Sequence, residues 1–121
     1  MLAWRLCREP FADLTGEGAR RYGGRWNTPG RPLVYAASSA ALAVLEVRVH
    51  LDLTPELLPD DYVLLEIDLG GGQSVEEVKD LPLNPAEFGN RWLAERRTLV
   101  LQVPSVIVPE SPNLLLNPLH P

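Results

Sequence analysis

In residues 3–8 (AWRLCR) apolar and basic side chains take turns, which predicts a first strand with Ala3, Trp4 and Leu6 in packing contact. Residues 32–36 (PLVYA) form a short apolar run that predicts a buried strand, and Ser38 or Ser39 then offers a helix-capping oxygen. The following segment predicts a helix over Ala40–His50, with Leu42, Leu45 and Val49 on the stripe expected to face the core. Thr54, Pro55 and Pro59 mark Leu51–Asp61 as a connecting loop. Residues 62–69 (YVLLEIDL) predict another strand, stopped by Gly70-Gly71-Gly72. Pro85 after Asn84 suits the first helical position, and a helix from there to about Arg97 turns Phe88, Trp92 and Leu93 inward. Two strand pieces, Leu99–Val103 and Val106–Val108, are broken by Pro104-Ser105, and PNLLLNPLHP is an apolar run between prolines. Strands and helices mix without regular alternation, so the expected class is α+β rather than a doubly wound sheet.

One stretch fits neither period. Residues 15–30 (TGEGARRYGGRWNTPG) hold five of the nine glycines and three of the ten arginines, and predict a long structured loop. Loops of that length in compact domains tend to carry function.

Composition narrows the class. A chain of 121 residues fits a single domain, 1–121, and 45% hydrophobic with 22% charged residues excludes disorder and coiled coil. No run approaches the ~18 apolar residues of a membrane span, and the first residues lack a secretory pattern. Cys7, the single cysteine, leaves no internal disulfide or multi-cysteine zinc site; it suits a reducing cytoplasm and reads as a small core residue. Seven of the twelve prolines lie from Pro82 onward, where they favour edge strands and fixed loops. The net charge of −5 is unevenly spread: residues 1–31 hold six arginines against three acids, and the remainder holds five bases against thirteen acids. A duplex binder is basic as a rule, so a small anionic ligand held by the arginine-rich segment is the better expectation. The acidic stretch 49–78 reads as a solvated face or an anchor for a partner.

Several residues could carry chemistry. Gly23-Gly24 lets a backbone approach a ligand, and Arg25 offers a planar fork of donors suited to phosphate; the alternative is a glycine-rich surface loop with solvated arginines. Glu46 lies in an otherwise apolar helix, so it is exposed beside Arg48 or His50, paired, or placed at a pocket to steer a cationic transition state. Tyr35 ends a strand, where it either faces a ligand or is half-buried with its hydroxyl satisfied. Trp26-Asn27 either stack on a ring and bind a hydroxyl or pin the loop down, and Ser105 is a ligand or an ordinary turn serine. His50, His120 and the scattered acids, Asp60-Asp61 included, show no metal-ligand spacing.

The segment GEGARRYGGRWNTPGRPLVYAASSAALAVLEVRVH resembles the signature of the RES domain family, through GGRWN, Gly30, the strand ending in Tyr35, then Ser39 and the helix carrying Glu46. The closing VPSVIVPESPNLLLNPLHP resembles the family's last block, with Ser105, Asn113, Asn117-Pro118 and His120-Pro121, and Arg5 in the first strand also fits. The resemblance implies an ADP-ribosyltransferase-like α+β fold with a split central β-sheet and flanking helices. It further implies a toxin of a type II toxin–antitoxin module that consumes NAD, by hydrolysis, phosphorolysis or ADP-ribosyl transfer to a protein. Arg25, Tyr35 and Glu46 are then the catalytic set, and Gly24, Trp26, Asn27, Ser39 and Ser105 the substrate-binding set. NAD is the substrate and no metal is required. The implied partner is a cognate Xre-like antitoxin, with self-association plausible and neither nucleic acid nor membrane bound directly. A catalytically inactive nucleotide-binding module is the reading from another class.

Overall fold

The computed structural model describes residues 1–51 and 60–120, and most of the connecting loop expected over 51–61 lies outside them. Six strands, β1 (Leu2–Arg8), β2 (Val34–Ala37), β3 (Tyr62–Asp68), β4 (Val75–Glu77), β5 (Val100–Pro104) and β6 (Pro112–Leu116), form one sheet in the order β3-β1-β2-β6-β5-β4. Among the described residues three α-helices accompany it, α1 (Glu17–Tyr22), α2 (Ala40–Leu51) and α3 (Pro85–Glu95), with a short 3-10 turn at Glu9–Phe11. The α+β class is as the sequence predicts. The sheet is continuous, but β1 joins β2 through the single pair Trp4↔Ala37, whereas β1 and β3 share seven pairs from Leu2↔Asp68 to Arg8↔Tyr62. The split sheet that the resemblance implies is here one continuous six-stranded sheet, narrowest at this junction.

Each strand places alternate residues on opposite faces. Ala3, Val34, Ala36, Ile67, Val100, Leu114 and Leu116 pack together on one face. The segment after β1 folds towards it, tied by the Arg5 guanidinium to the carbonyls of Phe11 (3.0 Å) and Asp13 (2.8 Å). The second face carries two clusters. Leu42 and Ala43 of α2 pack on Ala37 with Trp4 and Leu6, while Trp92 and Leu93 of α3 pack with Leu101, Val103, Leu115, Leu33 and Trp26.

The helix ends follow their capping chemistry. Ser39 Oγ accepts from the Leu42 N–H at 3.1 Å at the start of α2, and Asn84 Oδ1 accepts from Glu87 N–H at 3.0 Å before Pro85 opens α3. Inside α2 the expected stripe is wrong. Leu42 is buried, but Leu45 and Val49 are 37% and 52% exposed, because the helix turns Leu42, Ala43 and Glu46 towards the sheet. Nine of its twelve residues are apolar, so no polar face fixes its rotation from sequence.

Three further expectations change. The glycine- and arginine-rich stretch contains α1, whose Glu17 pairs with Arg20 and Arg21 one turn on. Val106–Val108 is not a strand: the N–H groups of Ile107 and Val108 turn back to Ser105 Oγ at 3.1 and 3.0 Å instead of joining a ladder. The short β4 runs parallel to β5 and was not anticipated.

Candidate active site

The loop after α1 is pinned from below. Tyr35, on β2, donates its hydroxyl hydrogen to Asn27 Oδ1 at 2.6 Å and accepts from the Trp26 N–H at 2.9 Å. Asn27 Nδ2 then donates to the carbonyls of Ala19 (2.9 Å), Arg31 (3.2 Å) and Thr28 (3.3 Å), tying α1 to both sides of the loop. Trp26 and Asn27 are 3% and 1% exposed. Of the two readings open for them, their burial carries the one in which they pin the loop down.

Two glycines permit this packing. A Cβ on Gly24 would sit 2.6 Å from the Tyr35 hydroxyl, so only glycine lets the loop lie against that ring. A Cβ on Gly89 would overlap the Trp26 carbonyl oxygen, which is how closely α3 approaches the loop. The Phe88 ring meets Trp26 edge-on at 6.1 Å, and Asn90 exchanges hydrogen bonds with Thr28.

Arg25 stands between these anchors with its side chain exposed, and no salt bridge engages it among the described residues. The fixed backbone thus presents a cation to solvent. Burial pushes the Tyr35 phenol from its ordinary 10.0 up to about 12, against the opposing pull of its hydrogen bonds and of the Arg25 charge. Tyr35 is therefore neutral at physiological pH and its hydroxyl is engaged.

Glu46 lies over the other end of the same strand pair. Its Oε1 accepts from Ser105 Oγ at 2.6 Å and from Asn113 Nδ2 at 3.0 Å. The direction of the first bond is fixed by counting: Ser105 Oγ already accepts two backbone N–H groups, so its one hydrogen goes to the carboxylate. Among the described residues no hydrogen bond reaches Oε2.

Strand register links the two groups. Tyr35 pairs with Leu115 and Ala37 pairs with Asn113, so Tyr35 and Asn113 are diagonal neighbours on one face of the sheet. Such neighbours lie roughly 7–8 Å apart. The structure thus brings Glu46 to Ser105, and Gly24, Trp26 and Asn27 to Tyr35, with Asn113 between the sets. Ser39 stays outside both sets, exposed and capping α2. Two concavities elsewhere, of about 230 Å³ beside Gln102 and about 260 Å³ beside Leu116, contain none of the residues of the expected catalytic and substrate-binding sets. Among the described residues no group of three His, Cys, Asp or Glu side chains is placed to hold a metal.

Sequence reasoning missed Asn113 as a site residue. The signal was present, since it is the one polar side chain in β6 (PNLLL). A strand buried on both faces carries such a residue only when it has a partner.

Known proteins supply the comparison. The family model described as RES domain matches residues 2–121. A relative from Pseudomonas putida, Toxin Res, is 42% identical over 128 residues, covering 100% of this chain and 87% of that protein. The Prs ADP-ribosylating toxin of a Sphingobium species is 46% identical over 135 residues, covering 98% and 83%. A shorter match to the NAD(+) phosphorylase MbcT of Mycobacterium tuberculosis is 57% identical over 35 residues, 28% of this chain and 19% of that protein. In the solved structure of the M. tuberculosis MbcT–MbcA toxin–antitoxin complex, one chain superposes with a TM-score of 0.79 at 24% identity, covering 95% of this chain and 72% of that one. At that identity the likeness concerns the fold.

Proposed function

The chain belongs to the RES domain family, and from that premise we propose that it is a toxin that cleaves NAD at the nicotinamide–ribose bond. The observation that carries the reading is the Glu46 carboxylate, held through Oε1 by Ser105 and Asn113 with no hydrogen bond to Oε2 among the described residues, on the sheet face that carries Tyr35.

Breaking the bond between ribose C1′ and the nicotinamide nitrogen leaves the electron pair on nicotinamide and positive charge on the ribose. A fixed carboxylate stabilises that charge, as carboxylates do in glycoside hydrolysis. In this reading Glu46 faces the ribose with Oε2 and is catalytic. Ser105 holds Glu46 in place. Arg25 and the backbone around Gly24 take the diphosphate, for which an exposed guanidinium with no salt bridge among the described residues is suited. The Tyr35 ring packs against the nicotinamide or ribose, while Trp26 and Asn27 hold the loop. The Ser39 hydroxyl caps α2 and carries no step.

The acceptor is water, phosphate or a protein side chain: water or the side chain bonds to C1′ and releases a proton, while phosphate bonds through an oxygen that is already ionised. The relative at 46% identity is named Prs ADP-ribosylating toxin, which favours ADP-ribosyl transfer as the second reading. The proposed setting is the cytoplasm, under control of a cognate antitoxin of the Xre-like type. Nicotinamide release by the purified chain, with and without phosphate, tests the reading. We expect release in the wild type and a loss of at least about 10²-fold in Glu46→Gln. If NAD is left intact whichever acceptor is supplied, phosphate or a cell extract, the reading fails.

A further inference from the structure

We infer that Asn113 is a positioning residue for Glu46, which decides which carboxylate oxygen meets the substrate; the inference rests on the NAD-cleaving reading above. Asn113 Nδ2 and Ser105 Oγ both donate to the same oxygen, Oε1. A carboxylate held by one donor swings about that bond. Two donors on different elements, Ser105 in the turn just past the end of β5 and Asn113 inside β6, fix its plane.

The two donors are not equivalent. Ser105 sits in a turn whose geometry its own hydroxyl helps to set, through the N–H groups of Ile107 and Val108. Asn113 is anchored by the ladder itself, with backbone pairs to Ala37 on one side and Val103 on the other. The rigid reference for Glu46 is therefore β6, and the serine turn is the second hand. The amide lies diagonal to Tyr35 on the same face, so it also sets the position of the carboxylate relative to the ring. An amide suits this place because it donates without carrying charge. A lysine would neutralise Glu46, and an aspartate would repel it.

The test compares Asn113→Ala and Asn113→Asp with the wild type in nicotinamide release at about pH 8, where an added carboxylate is ionised. Removing the amide is expected to lower kcat by on the order of 10–100-fold, the usual cost of a misplaced catalytic group, and to leave KM for NAD within about twofold. The aspartate variant is nearly isosteric, so a merely structural role predicts a mild effect. The positioning role predicts a kcat loss at least as deep as that of alanine. Thermal melts establish that both variants fold.

A second readout is independent of turnover. In a nitrogen-15 spectrum the Asn113 side-chain amide resonances are expected to move on Glu46→Ala. If both variants keep the wild-type kcat, or if those resonances ignore Glu46→Ala, the inference is overturned. If the wild type releases no nicotinamide while the resonances do move, the NAD-cleaving reading has failed and the Asn113–Glu46 bond stands.

Discussion

Tyr35 carries a hydroxyl into the packed floor of the loop, and burial raises its pKa from 10.0 to about 12. The folded state thus holds this proton to higher pH than the unfolded state does. Stability from this group is complete below pH 10 and is lost as pH climbs towards 12, by on the order of 2–3 kcal/mol. Urea unfolding of the wild type between about pH 9 and 12 should show that decline, and Tyr35→Phe should flatten it, since phenylalanine has no proton to release there. At lower pH the same variant leaves Asn27 Oδ1 and the Trp26 N–H without their partner, a cost of about 1–3 kcal/mol for each group left unpaired. Equal alkaline slopes in the two proteins would contradict the assignment. Glu46 was legible from sequence for a related reason: a carboxylate in an apolar helix needs a partner. Its described partners are a serine and an asparagine roughly 60 or more positions away, which spacing alone cannot reveal.

Elements with an unambiguous local code were readable, and those with a degenerate one were not. Asn84-Pro85 announces the start of α3, and Trp92 and Leu93 point inward as their spacing predicts. In α2 nearly every position is apolar, so the sequence specifies a helix without its rotation, and Leu45 and Val49 emerge exposed. The apolar triplet at 106–108 has strand composition, but Ser105 competes for its N–H groups and wins, making a turn that serves Glu46. Val75–Glu77 has three residues and two charges; its place beside β5 comes from the sheet edge and not from its own pattern. The close approach of α3 to the loop gives a direct prediction. Gly89→Ala pushes a methyl group into the Trp26 carbonyl, so a thermal melt should report a loss at or above the ~1–3 kcal/mol usual for overpacking. Gly18→Ala in α1, with nothing within 4 Å of the added carbon, should be neutral or stabilising by up to about 1 kcal/mol. A Gly89 variant as stable as the wild type would mean that helix and loop are not held together here.

Across the described residues the sheet is a narrow-waisted platform, and its second face carries both halves of the proposed site. One half is the pinned loop that exposes Arg25; the other is Glu46 clamped between β5 and β6. The uneven charge of the sequence did not single out Arg25, because Arg5 binds the carbonyls of Phe11 and Asp13, Arg8 pairs with Asp61, and Arg20 and Arg21 pair with Glu17. The pairing of β2 with β6 that joins the halves was not readable, because it brings together residues about 80 positions apart. Arg25→Ala should act on binding more than on chemistry, raising KM for NAD about tenfold or more with a smaller change in kcat. The most direct measurement is nicotinamide release from NAD by the purified chain beside its Glu46→Gln variant, with phosphate present and absent. The account predicts release by the wild type and near-complete loss in the variant, with phosphate dependence separating phosphorolysis from hydrolysis. Equal release by the two proteins would contradict the role given to Glu46 and, with it, the central claim.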